Sequence, residues 1–466
     1  MNPIQLDPID HAIIFIYLIV IITLGLRHAR VYSSGIDNYL LAGRRLSLPA
    51  FAATLVSTWY GGILGIGEFT YTYGILSWIT QSLPYYIFAI LFAIFLAPKI
   101  QKIKLYTIPD LLYNNYGKSS GIIGSIFIFI LVTPAPYLLM VTVLLSSLLG
   151  IPFWWAFIIG AIFSTIYVLV GGFRSVVKTD IIQFILMFLG FFILVFTLID
   201  KYGGLTFLQS NLPNNHINIT GGKSLQYVFV WFFIALWTFV DPGFYQRCYA
   251  AKSPNTAKYG ILISVLFWIL FDLLTTVSGL YSRAILTDIN PIMAYPKLGE
   301  LVLPTALRGI FFIGLLATIM STLDSYSFLS AITFGRDLVW RIHKECDIKR
   351  YTQIGLIISI IISACLIYFI PSVVKIWYIL GTLFIPGLLL PLTSNFLLRK
   401  KMSPKGVFFC MTLSFIATLV WLIIGINRGS LADPNFLYNL QPFFIGITIS
   451  TIKFMTDLIT QSFLAN

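Results

Sequence analysis

Stretches of about twenty apolar residues, the length of helix that crosses a bilayer's hydrocarbon, recur along this chain. Short loops holding nearly all the lysine and arginine separate them. An ordinary soluble core cannot absorb such stretches: of 466 residues, 58% are hydrophobic and only 10% charged. The pattern predicts an all-α polytopic membrane protein, a single membrane domain spanning residues 1–466 in a lipid bilayer. Hydropathy read over the bilayer thickness gives about thirteen transmembrane helices, at 11–27, 48–74, 75–98, 121–149, 152–171, 179–200, 225–247, 257–282, 305–335, 351–371, 376–397, 406–427 and 438–458. The first of them lacks a basic flank and a small-residue cleavage site, so it reads as a retained helix.

An odd number of spans puts the termini on opposite sides, and the lysine and arginine asymmetry orients them. With the N-terminus outside and the C-terminus cytoplasmic, twenty-two of the thirty basic residues fall in or beside cytoplasmic loops and seven outside, with Lys453 inside the last span. A plasma membrane is expected, and the short tails favour a bacterial inner membrane. The same loops explain the formal net charge of +13 without any nucleic acid. Cys248, Cys346, Cys365 and Cys410 show no paired spacing and read as reduced thiols. His11, His28, His216 and His343 are scattered over ends and loops, with no nucleophile–base or metal-ligand grouping, so the chain does not read as an enzyme.

Two spans are interrupted. In the second, Gly61, Gly62, Gly65 and Gly67 follow Ser57-Thr58-Trp59-Tyr60; in the seventh, Asp241-Pro242-Gly243 cuts an apolar run. Breaks in a spanning helix are tolerated only where protein or a water-filled cavity supplies hydrogen-bond partners. The interrupted spans lie five apart, as in two five-helix halves of inverted topology that bind cargo at paired breaks. Glycine and proline in membrane helices also serve packing alone, a reading that a matched pair weakens.

The ninth span carries Thr318, Ser321, Thr322 and Ser325 at the i, i+3, i+4, i+7 spacing of one helical face. Several hydroxyls on one face suit a hard cation, sodium above all. The plainer role for such hydroxyls is a bond back to their own helix or across to a neighbour. Asp324 on the same span shifts the balance, because an intramembrane carboxylate is costly and marks a functional site. Asp180, at the expected start of the sixth span, is a weaker signal, since such residues often only cap a helix.

The segments NYLLAGRRLSLPAFAATLVST, GGFRSVVKTDIIQ, FYQRCYAAKS, NPIMAYPKLGELVLP and LLATIMSTLDSYSFLSAITFGRDL, in this order, resemble the sodium/solute symporter family over nearly the whole chain. The resemblance implies a leucine-transporter-type fold: an extra N-terminal helix (11–27), a 5+5 inverted-repeat core at 48–200 and 225–397 with core helices 1 and 6 broken, and two trailing helices at 406–458. It implies sodium-coupled symport of a small organic solute by alternating access, sodium being the co-transported ion. The main sodium site would take carbonyls of Ser57, Tyr60 and Thr318 and hydroxyls of Ser321 and Thr322. A second cation site would fall on Asp180, Ser321, Asp324 and Ser325. Asp324 departs from the usual hydroxyl and leaves sodium or proton open there.

Substrate-binding candidates on the walls between core helices are Trp59, Gln81, Phe233, Trp237 and Asp241, with Tyr326 and Glu68 behind them; each also has a plain packing role. The positions that hold sugar or proline in relatives depart here, with Gln81, Ile234 and Trp59 in place of the expected residues, and the third core helix has no Arg to pair with an acidic sugar. A proton-coupled symporter, a uniporter or a transporter-like sensor of the same fold are the alternative functions. A sensor would carry a kinase extension, and this sequence stops at Asn466. The sequence leaves the solute and the oligomeric state open.

Overall fold

Segments that lie in lipid must close their own backbone hydrogen bonds, and helices do this within a single stretch. The computed structural model describes residues 3–31, 35–398, 401–431 and 433–464, with the side chains of 27–31 and 462–464 excepted. The side chains of Arg27, His28, Arg30, Arg399 and Lys400, which entered the charge and histidine readings, therefore lie outside what is described. Among the described residues there is no strand, only an isolated bridge between Leu46 and Ala251. Large apolar side chains such as Phe15, Trp155, Phe196, Leu266 and Ile361 are exposed around the helical surface, as a lipid-facing belt requires.

The helices that frame the molecule are, in chain order, α1 (Pro8–Val31), α2 (Leu48–Trp59), α3 (Ile63–Tyr73), α4 (Leu83–Phe95), α5 (Ile108–Leu131), α6 (Ala135–Leu149) and α7 (Phe153–Tyr202). There follow α8 (Leu225–Ile234), α9 (Pro242–Ala250), α10 (Pro254–Ile285), α11 (Leu307–Ile332), α12 (Ile348–Phe369), α13 (Val373–Leu397), α14 (Pro404–Arg428) and α15 (Pro442–Leu464). Among the described residues, twelve stretches are long and apolar enough to cross a membrane. One of them is α7, whose 50 residues extend about 75 Å at 1.5 Å per residue, more than twice the roughly 30 Å of hydrocarbon. Gly172, at φ 61° and ψ −156°, kinks it, and a Cβ there would lie 2.4 Å from the Tyr39 carbonyl oxygen. Counted as two crossings, α7 brings the total to the thirteen expected.

Both interruptions are present, but their geometry differs from the simple reading. In the first, only Tyr60–Gly62 leave the α-helix, as one 3-10 turn between α2 and α3. Gly65 and Gly67 stay helical, and they are small because Val373 and Trp377 press on one and the Tyr295 ring on the other. In the second, α8 ends at Ile234, a 3-10 turn covers Ala235–Phe239, and Pro242 begins α9 instead of ending a helix. Proline suits a first helical position because its missing N–H has no partner there anyway.

Small residues set the central packing. α7 runs along α11 and α1, and a Cβ on Gly314 of α11 would lie 2.9 Å from the Leu186 carbonyl of α7. The N-terminal helix is tied to α11 by a cap: Asp10 Oδ1 accepts the N–H groups of Ala306 and Gly309, both at 2.9 Å.

One end of the molecule is closed beneath the breaks. Leu46 N–H donates to the Ala250 carbonyl at 3.0 Å and Lys252 N–H to the Leu46 carbonyl at 3.1 Å. Gln246 Nε2 donates to the Leu40 carbonyl at 3.2 Å, and Gln101 Nε2 to the Ala251 carbonyl at 3.1 Å. The segment entering α2 is thus latched to the end of α9.

Candidate functional site

The hydroxyl face of α11 lies directly on the first break. A Cβ on Gly61 would sit 2.0 Å from Thr322 Oγ1, so only glycine lets the 3-10 turn come this close. Thr322 Oγ1 donates to the Thr58 carbonyl at 2.5 Å, and Ser321 Oγ donates to Asp180 Oδ1 at 2.6 Å. The hydroxyls of Ser57 and Thr318 turn back onto their own helices, at the carbonyls of Ala53 (2.9 Å) and Gly314 (2.7 Å). Ser57, Tyr60, Thr318, Ser321 and Thr322 are all buried at this junction.

Asp180 is no helix cap. The helix runs unbroken from the Gly172 kink through it, and its carboxylate is fully buried, accepting from Ser321 and from the Thr54 hydroxyl. Arg247, read from the sequence as a loop charge, is also fully buried. Its Nη2 lies 3.8 Å from Asp180 Oδ2 and donates to Thr58 Oγ1 (2.6 Å), Thr54 Oγ1 (3.0 Å), Ser325 Oγ (3.2 Å) and the Thr54 carbonyl (3.3 Å). Nη1 donates to the Gly243 carbonyl at 3.2 Å. Asp180, Ser321 and Ser325 therefore come together as the sequence implied, but around a guanidinium. Asp324 is not bonded to this cluster: the Tyr167 hydroxyl, ahead of the Gly172 kink in α7, donates to Oδ2, and its buried Oδ1 has no partner.

A cavity of about 90 Å³ opens beside the first break. Trp59, Tyr60, Tyr85 and Tyr137 form one part of its wall, and Trp231, Trp237, Tyr326 and Trp377 another. Trp59 meets Tyr85 edge-on at 5.0 Å between ring centroids, and Tyr137 meets Tyr326 at 5.0 Å. Gln81 also lines it, at a kink where Ser82 leaves helical geometry ahead of Pro84. Asp272, on α10, is the one charged side chain on the wall among the described residues.

Of the sequence candidates, Trp59, Gln81, Trp237 and Tyr326 line this cavity, whereas Phe233 and Asp241 do not. Phe233 points outward, 38% exposed, and packs on Phe232 and Phe444, because the helical turn presents its neighbour Ile234 inward. Asp241 caps α9: Oδ1 accepts from Gly243 N–H (2.6 Å) and Phe244 N–H (3.2 Å). It touches the cavity only through Tyr326, whose hydroxyl donates to Oδ2 at 2.5 Å. Glu68 lies in a second, wider cavity of about 420 Å³ with Lys223 and Lys375, and Trp231 stands on the wall of both.

Asp272, Arg247, Tyr137, Trp231 and Trp377 were missed from sequence. Asp272 carried a usable signal, a single carboxylate inside the apolar run ILFDLL.

A model of the sodium:solute symporter family matches residues 39–413. The sodium/glucose cotransporter of Vibrio parahaemolyticus is 25% identical over 413 residues, covering 77% of this chain and 74% of that protein. The sodium/pantothenate symporter of Haemophilus influenzae is 29% identical over 240 residues, 48% of this chain and 49% of that protein. Solute carrier family 5 member 4 of Rattus norvegicus is 23% identical over 78% of this chain, which spans only 62% of the rat protein. Among solved structures, a substrate-bound, outward-open Na+-coupled sialic acid symporter superposes with a TM-score of 0.73 at 17% identity, covering 96% of this chain and 97% of that one. The nucleobase–cation symporter Mhp1, closed around bromovinylhydantoin, gives 0.64 at 12% identity, covering 92% and 96%. At these identities the two structures share with this chain its fold.

Proposed function

Because the chain belongs to the sodium:solute symporter family, we propose that it couples entry of a small organic solute to sodium moving down its gradient, by alternating access. Sodium binds between α2 and α11, held by the carbonyls of Ser57, Tyr60 and Thr318 and the hydroxyls of Ser321 and Thr322. The observation that carries this is the contact of Gly61 with Thr322, which brings a hydroxyl face onto the turn where the helix changes its bonding. Oxygen ligands without a carboxylate among them fit a monovalent hard cation, which gains from several neutral oxygens and leaves easily. The second cation position is filled by the Arg247 guanidinium, so one sodium ion moves per cycle.

The core divides into five-helix halves at 48–200 and 225–397, with 11–27 and 406–458 outside them. The two broken crossings are the first of each half. The Lys/Arg asymmetry supports an N-terminus outside the plasma membrane, in a bacterium the inner membrane, and the Glu68–Lys375 vestibule then faces outward.

Radiolabelled sodium binding to the purified protein tests the site. Each neutral ligand to a charged group contributes about 1.5–3 kcal/mol, so Ser321→Ala with Thr322→Ala is expected to weaken binding by at least about tenfold, 1.4 kcal/mol per decade. Unchanged affinity in this double variant would place sodium elsewhere.

A further inference from the structure

The aromatic cavity has a composition that selects among solutes. We propose that its substrate is a small organic ammonium ion bearing an oxygen acceptor, held by Asp272 and the surrounding ring faces; this rests on the symporter reading above. Asp272 is 4% exposed and borders the cavity without a cationic side chain on the same wall. Its one bonded oxygen, Oδ2, accepts from the Tyr86 hydroxyl. A buried carboxylate on a ring-lined wall suits a cation, which pairs with the carboxylate while stacking on electron-rich faces.

The same chemistry occurs within this chain on the way in: the Lys223 ammonium lies 5.0 Å from the Tyr73 ring centroid and 5.7 Å from that of Tyr227, both in the outer cavity. On the wall, the Tyr326 hydroxyl is committed to Asp241 and Tyr60 to the Trp268 carbonyl at 2.9 Å. Three buried donors of the wall have no partner: Gln81 Nε2, Trp231 Nε1 and Trp237 Nε1. Three unpaired N–H groups call for an acceptor on the ligand, a hydroxyl or a carboxylate, at the end opposite the ammonium.

Ligand binding is read by quenching of the cavity tryptophans in purified protein, in sodium and in potassium buffer. The probes are choline, glycine betaine, the neutral choline isostere 3,3-dimethylbutan-1-ol, and glucose. At least one of the two ammonium compounds is expected to bind, with the isostere at least tenfold weaker and glucose inert. Asp272→Asn is expected to bring the choline-to-isostere ratio close to one while keeping radiolabelled sodium binding, which shows that the variant is folded; Asp272→Glu should retain the preference. The proposal is overturned if neither ammonium compound binds, if the isostere binds equally well, if glucose binds instead, or if Asp272→Asn keeps the ratio. Absence of sodium binding in the unaltered protein would count against the symporter reading alone, because the ammonium preference is also read in potassium.

Discussion

At the scale of single residues, Arg247 and Asp180 are the pair on which the site depends, both fully buried and joined at 3.8 Å. Breaking a buried pair from one side strands the other charge, typically at about 3–5 kcal/mol, whereas removing both is far milder. Arg247→Met should therefore lower the melting temperature of the purified protein sharply, and adding Asp180→Asn should restore much of the loss. A double variant no more stable than the single one would mean that the two charges are not coupled. Arg247→Lys is expected to rescue poorly, since the guanidinium bonds Thr58 and Ser325 from one nitrogen and Gly243 from another, a spacing that the one nitrogen of an ammonium does not reproduce. With the guanidinium as resident cation, sodium stimulation of uptake should titrate with a Hill coefficient near one; a value clearly above one would require a second sodium. Arg247 could not be valued from sequence, because it stands at the end of a span beside other basic residues, and only the packing of α9 under α2 shows it to be enclosed. Ser321, Thr322 and Ser325 were legible because helical spacing alone places them on one face.

Among elements, the 3-10 turn at Tyr60–Gly62 is what brings α2 and α11 together. Gly61→Ala puts a methyl group 2.1 Å from Thr322 Cβ, a clash that no rotamer of Thr322 relieves. The expected outcome is a folded protein, by circular dichroism, whose sodium affinity falls by more than about tenfold, the scale of losing one charge-assisted ligand. Wild-type affinity in Gly61→Ala would show that the two helices need not touch. The existence of both breaks was readable from glycine clusters and from Asp-Pro-Gly, but their extent was not. Glycine in a membrane helix signals either a loosened backbone or a close neighbour, and Gly65 and Gly67 proved to be the second kind. Asp-Pro-Gly likewise reads as a stop, yet with Asp241 as cap and Pro242 in the first turn it is a start.

For the whole molecule, thirteen crossings were visible in hydropathy because lipid imposes one length on every span. The cavity wall was not, since Trp231, Trp377 and Asp272 come from three helices far apart in sequence. The proposed orientation can be tested through His216, in the loop between α7 and α8. Its Nε2 donates to the Tyr71 carbonyl at 2.9 Å, its Nδ1 is buried without a partner, and Ile75 N–H bonds its carbonyl at 2.9 Å. Burial first, and the Arg283 charge nearby, hold its pKa below the usual histidine value. The unfolded loop then binds a proton more readily than the folded one, so local stability is full above the ordinary pKa of about 6.5 and declines as pH falls through it. Hydrogen exchange across 214–222 should accelerate when the outside of sealed right-side-out vesicles is acidified, after correction for intrinsic rates, and His216→Gln should remove the response. A response only to internal acid would reverse the orientation.

The latch between Leu46 and the end of α9 has a kinetic consequence. Its three hydrogen bonds, two at Leu46 and one from Gln246 to Leu40, at about 1 kcal/mol net each, bias the empty protein toward the form closed at that end by roughly a hundredfold. An unloaded carrier then spends almost all its time facing one compartment, which limits the sodium leak that would run down the gradient. The return of the empty carrier must open the same contacts, so the interactions that suppress leak also limit turnover, and weakening them would trade tightness for speed.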